Sequence, residues 1–123
     1  MLTIRNEQME VLNNALRREY VQRVAAIFAR RYPQKFTGGT EQAASFVESN
    51  IPKALKYGIA SELHVATFLN FLILHGEDFE SRPECAWAVD ILNSREGTGD
   101  DRVEWLETRL QTLNAINGTP AKG

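Results

Sequence analysis

The chain has 123 residues, 43% hydrophobic and 24% charged, with one cysteine and a net charge of −2. That length suits a single domain able to bury roughly two thirds of its unfolded surface, so no metal or disulfide staple is required. Cys85 has no partner for an internal disulfide, which points to a reducing compartment, and no apolar run approaches the ~18 residues of a membrane span.

The predicted elements are all helical, because no stretch alternates strictly as a strand would. A first helix is expected from Asn6 to Tyr32, stopped by Pro33, with Met9, Leu12, Leu16, Tyr20, Val24, Ile27 and Phe28 three or four residues apart. Its apolar stripe widens toward the C-terminal end to take in Val21 and Tyr32, more than one buried face usually needs. The second helix is expected from an N-cap at Thr40 to Tyr57, with Gly58 as its left-handed C-cap. Pro52 inside it predicts a kink, or a split near Asn50.

The third helix has Ser61 as N-cap, Glu62 at the positive end of the dipole and Gly76 as its stop. Between them LHVATFLNFLIL points apolar side chains in every direction, which predicts a helix covered by its neighbours. A fourth helix is expected to start within Ser81–Pro83 and end near Asn93, carrying Trp87, Ala88, Ile91 and Leu92 inward. After the SREGTG loop, a fifth opens at Asp100, presents Val103, Leu106, Leu110 and Leu113, and ends at Asn117-Gly118. The expected fold is all-α: a compact bundle of about five helices around a central apolar third helix, one domain over 1–118 with a disordered tail at 119–123.

Charge is divided along the chain. Residues 1–60 carry nine Lys/Arg against five Asp/Glu, and residues 61–123 carry five against eleven. Such polarity could steer a charged partner, although two solvated faces of unlike sign are the plainer explanation. A nucleic-acid binder would be basic, with aromatics set among its cations.

Catalytic patterns are missing. His64 and His75 lie eleven residues apart, about 16 Å along a helix, so they do not hold one metal. Glu77, Asp78, Glu80 and Glu84 precede a helix N-terminus, where the dipole favours them without any chemistry. Cys85 has no base nearby in sequence, and no phosphate-binding glycine loop or nucleophile elbow occurs. Neither an enzyme nor a cofactor is expected. What remains is apolar surplus: Leu2 and Ile4 before the first helix, Val21, Phe28 and Tyr32 on it, and Trp105 about 100° from the Leu106 line. These residues anchor a protein partner, or the helix is sandwiched between neighbours while Ile4 staples its first turn.

The segments MLTIRNEQM, KYGIASELHV, HGEDFE and WAVDIL resemble a family of small helical proteins of Gram-negative bacteria. Its genes lie within type VI secretion islands, beside PAAR or VgrG spike genes and Tap/Tec-type adaptor chaperones. The likeness covers about residues 1–113, and its positions include Tyr57, Gly58, Ile59, Ser61, Glu62, Gly76, Asp78, Phe79, Trp87, Ala88, Ile91 and Leu92. These read as caps, corners and core contacts. Pro52 and the glycine-rich loop before the fifth helix depart from the pattern and leave local geometry open there. The resemblance implies a cytosolic co-chaperone that helps an adaptor load an effector onto the spike. An immunity protein that neutralises a cognate toxin is the alternative. Either way the partner is a protein, with no nucleic acid or membrane, and self-association is compatible with the same surplus.

Overall fold

The computed structural model describes residues 14–116, and among them five α-helices and two single 3₁₀ turns but no strand. In order these are α1 (Asn14–Arg31), α2 (Thr40–Lys56), α3 (Glu62–His75), the 3₁₀ turns Phe79–Ser81 and Pro83–Cys85, α4 (Ala86–Leu92) and α5 (Gly99–Ile116). The all-α expectation holds for this span. Leu2, Ile4, the predicted first turns from Asn6, the Asn117-Gly118 stop and the tail lie outside the described residues.

α1 and α2 pack along each other, joined by a loop in which buried Phe36 rests 5.5 Å from the Phe46 ring. Val21 and Phe28, expected as partner anchors, are core residues only 4% and 3% exposed. Tyr32 is half-buried, its ring beside Phe28 and its hydroxyl donating to Asn70 Oδ1 at 2.7 Å. Most of the wide stripe on α1 is therefore covered inside the chain by α2 and α3, while Ile27 stays exposed at its edge.

One prediction about α2 is corrected, and of the two alternatives at Pro52 one is removed. Gly39 holds the N-cap position without a side-chain hydrogen bond, and Thr40 is already helical. Pro52 does not split the helix, which runs unbroken through it. Pro52 offers no N–H to the Glu48 carbonyl, and both residues lie on the exposed side of the helix. At the other end the expected stop forms. Gly58 takes φ 79°, its N–H donates to Leu55 O at 2.9 Å, and the Ile59 N–H reaches Ala54 O at 3.1 Å. This is the Schellman pairing, and it drives Ile59 into the core.

α3 starts where predicted, with Ser61 Oγ accepting from the His64 N–H at 3.1 Å, and stops at Gly76 with φ 100°. Val65, Phe68, Leu69, Phe71 and Leu72 are buried. Phe68 and Phe71 meet Phe79 edge-on, at 6.3 and 5.1 Å, which pins the first 3₁₀ turn against the helix. Cover is not complete, however: Leu63 is 71% exposed and Leu74 55%. α3 touches α1, α2 and α5, and those neighbours leave its outer stripe open.

The fourth helix starts later than expected, at Ala86, because two 3₁₀ turns occupy the Ser81–Pro83 region. α5 opens on a reciprocal capping box: the Asp101 N–H donates to Thr98 Oγ1 and the Thr98 N–H to Asp101 Oδ2, both at 3.0 Å. Gly99, its first residue, lies against the α2–α3 corner. A Cβ there would stand 2.2 Å from Gly58 C and O, and 2.6 Å from Ile59 N. Asp100 and Arg102 complete the junction. Asp100 Oδ1 accepts from Ala60 N at 2.9 Å and Ser61 N at 3.4 Å, and Arg102 Nη2 donates to Tyr57 O at 3.0 Å.

In an open helix Gly→Ala gains up to about 1 kcal/mol. Here the backbone clash decides the sign, and Gly99→Ala is expected to lose about 2 kcal/mol in denaturant unfolding. A variant as stable as the wild type would show that the junction is not tight.

Candidate protein-binding surface

Three groupings of side chains are dense enough to weigh for function. The first joins the C-terminal half of α2 to the turn after α3. Lys53 Nζ donates to Glu77 O at 2.8 Å and lies 2.9 Å from Glu80 Oε1, Tyr57 OH donates to Glu80 Oε2, and Asn50 Nδ2 reaches Phe46 O at 2.9 Å. Burial alone would raise the Glu80 carboxyl, yet the hydrogen bonds from Lys53 and Tyr57 and the nearby Lys charges hold it below the usual range. Burial and the Glu80 contact push the Tyr57 hydroxyl well up. Lys53, Tyr57 and Glu80 satisfy one another, so the group acts as a clasp on the Gly76–Arg82 turn. Asp78 extends it through its 3.1 Å ion pair with Arg82.

The second grouping resembles a nucleophile relay. Ser61 Oγ is 2.6 Å from His64 Nδ1, and His64 Nε2 is 2.8 Å from Glu104 Oε2, with Asp100 Oδ2 3.8 Å from Nδ1. Ser61, however, is already the α3 cap, and Asp100 holds the adjoining Ala60 and Ser61 N–H groups. With the Ala60, Ser61 and His64 N–H donors paired inside the cluster, none of the three is aimed at a developing oxyanion. Its physical effect is to tie the first turn of α3 to α5. Among the described residues no three His, Cys, Asp or Glu are set to hold a metal. Cys85 is buried, and that burial, with Glu84 beside it, raises its thiol away from reactivity. His75 stacks on Phe71 at 4.5 Å and is lowered by burial.

The third feature is an open groove of about 280 Å³ across α1, α3 and α5. Leu63, Ala66, Thr67 and Asn70 of α3 form its floor. Leu63, Thr67, Asn70 and Leu74 follow the i, i+4, i+7, i+11 spacing of one helix stripe. The α1 wall presents Ile27, 43% exposed, and Arg31; the α5 wall presents Glu107. Arg31 lies over the Tyr32 ring, and neither it nor Glu107 has an ion-pair partner among the described residues. Arg23 and Glu104 continue the two walls toward the first turn of α3, through Glu62 at 3.1 Å and His64 at 2.8 Å.

Of the residues singled out in sequence, the structure brings Phe28 to the base of this groove and leaves Val21 and Tyr32 outside its lining. Trp105 is exposed but two residues from Glu107, about 200° around α5, with its ring tip against Gly97. Tyr57, Gly58, Ser61, Glu62, Gly76, Asp78, Phe79 and Trp87 fall at the corners, caps and core contacts described above or, for Glu62, on the Arg23 pair. Ile27 and Leu63 were not singled out. An all-round apolar helix does not reveal in sequence which side stays open. No described helix is long and apolar enough to cross a membrane. Comparison with protein-family models, curated proteins and solved structures gives no match.

The clasp carries a pH signature. A carboxyl held low in the folded chain adds stability above its unfolded value, about 4.3, and that contribution is lost as pH falls through the lower folded value. Chemical unfolding measured between neutral and acid pH should therefore show a shallower acid loss in Glu80→Gln than in the wild type. Identical slopes would remove Glu80 from the clasp.

Proposed function

We propose that this chain is a protein-binding accessory factor whose α1–α3–α5 groove is covered by another polypeptide during its work. The supporting observation is a pair of uncovered apolar side chains in one groove, Leu63 at 71% and Ile27 at 43% exposure, with Arg31 and Glu107 at its sides. An isolated exposed leucine is ordinary, but two large exposed apolar side chains that share one groove with charged neighbours have the anatomy of a docking site. The family likeness gives the reading its context: a cytosolic co-chaperone that works with an adaptor chaperone to stabilise an effector and load it onto the PAAR/VgrG spike. No catalytic step is assigned to the chain.

Co-expression with an adaptor chaperone of the Tap/Tec type and its effector tests this directly. Leu63→Asp and Ile27→Asp each place a charge in the docking face and should weaken capture about thirty-fold or more. Leu63→Asp should fold normally, since an acid in the first turn of α3 suits the dipole. Trp105→Ala should leave capture unchanged. Undiminished capture by both Asp variants would sink the groove reading. Protection of cells producing the toxin, with no requirement for delivery, would favour the immunity role instead.

A further inference from the structure

Among the described residues Asn50 is the sole polar side chain in the core, 5% exposed. Its Nδ2 donates to Phe46 O at 2.9 Å and lies 3.4 Å from Glu77 Oε1, so both of its bonds leave from the nitrogen. No described residue donates to its Oδ1, and that oxygen keeps access to solvent. A carbonyl oxygen at this depth ordinarily has a donor. The space Asn50 lines is an open pocket of about 240 Å³ between α2, the α1–α2 loop and the turn after α3, and it shares no residue with the α1–α3–α5 groove. Two unpaired charges stand in its lining. The Lys35 ammonium rests over the Phe36 and Phe46 rings, 6.0 and 5.7 Å from their centroids, with no ion-pair partner among the described residues. The Glu77 carboxylate also makes no ion pair, and its one hydrogen bond among those residues is the long one from Asn50.

We propose that this pocket binds a small amino acid, a molecule carrying a primary ammonium and a carboxylate, between Glu77 and Lys35. The unfilled polar groups select that chemistry. Asn50 Oδ1 and the Glu77 carboxylate are both acceptors, so the group they hold brings N–H donors and positive charge. Lys35 offers only donors and positive charge, so the same molecule presents an anion to it. A plain cation would leave Lys35 unmatched, and a plain anion would leave Glu77 and Oδ1 unmatched. Phe36 and Phe46, nearly buried beside Asn50, give the carbon skeleton an apolar wall. Size sets the remaining limit. At about 30 Å³ per water the space holds about eight waters, which admits a free amino acid and not a nucleotide. The site goes beyond the protein-binding reading and does not depend on it.

Nuclear magnetic resonance titration of the full chain tests this, with glycine, β-alanine and 4-aminobutyrate as probes of increasing charge separation. At least one should shift the backbone amides of Phe36, Phe46 and Glu77 and saturate below about 10 mM. Betaine keeps both charges but has no N–H for Asn50 Oδ1, while acetate and methylammonium keep one charge each. All three should bind at least about ten-fold more weakly than the best probe. Asn50→Leu keeps the volume and removes the acceptor, and should abolish the shifts. Lys35→Gln and Glu77→Gln change exposed side chains and should each weaken binding about ten-fold. These two variants decide the matter if Asn50→Leu does not fold.

If none of the three probes saturates, the pocket holds water alone and the proposal is overturned. It is overturned as well if betaine, acetate or methylammonium binds as tightly as the best probe, or if binding is unchanged in both Lys35→Gln and Glu77→Gln. None of these outcomes touches the α1–α3–α5 groove, which capture by Leu63→Asp and Ile27→Asp tests separately.

Discussion

Contact between Gly99 and the Gly58–Ile59 peptide sets the relation of the later helices to the earlier ones. A side chain at Gly99 would occupy the space of that peptide, with the nearest backbone atoms 2.2 Å from its Cβ. The approach depends on the Schellman turn that ends α2, because the same turn buries Ile59 and aims the Ala60 and Ser61 N–H groups at Asp100. Once these groups are paired, α5 has one direction and one starting height along α3. The acidic wall of the groove follows from that placement.

The basic wall has a different origin. α1 spends its widest apolar side on α2 and α3, burying Val21, Val24, Ala25 and Phe28. Two tyrosine hydroxyls then fix its level against α3, one on the Glu62 carbonyl and one on Asn70. Buried or half-buried hydroxyls of this kind must find acceptors, so they specify register more sharply than apolar contact does. Ile27 and Arg31 are left on the rim as a consequence.

Side chains that look chemical are mostly joints. Ser61, His64, Asp100 and Glu104 are within hydrogen-bonding or ion-pair distance of one another, yet the serine and aspartate are committed to backbone N–H groups of the α3 start. Lys53, Tyr57 and Glu80 hold the turn after α3 in the same manner. Each joint lets a short helical chain spend polar residues on geometry where a larger core would use more apolar area.

Helix type, number and several boundaries were legible in the residues themselves, since they depend on local chemistry. Ser61, Gly58 and Gly76 act as cap and stops through bonds to neighbours one or two turns away, and Pro33 ends α1 by the limits of its own ring. Val21 and Phe28 were left open between partner contact and core because a stripe's width does not tell whether one neighbour or two will cover it. Leu63 was hidden for the converse reason: in a helix apolar all round, the open side is chosen by where α1 and α5 come to rest. Pairings such as Asp100 with Ala60 or Tyr32 with Asn70 span about forty residues and leave no local trace. Local propensity thus determined the helices and their ends. Tertiary packing alone decided which apolar side chains face water and which charges stand opposite each other, because both depend on long-range register.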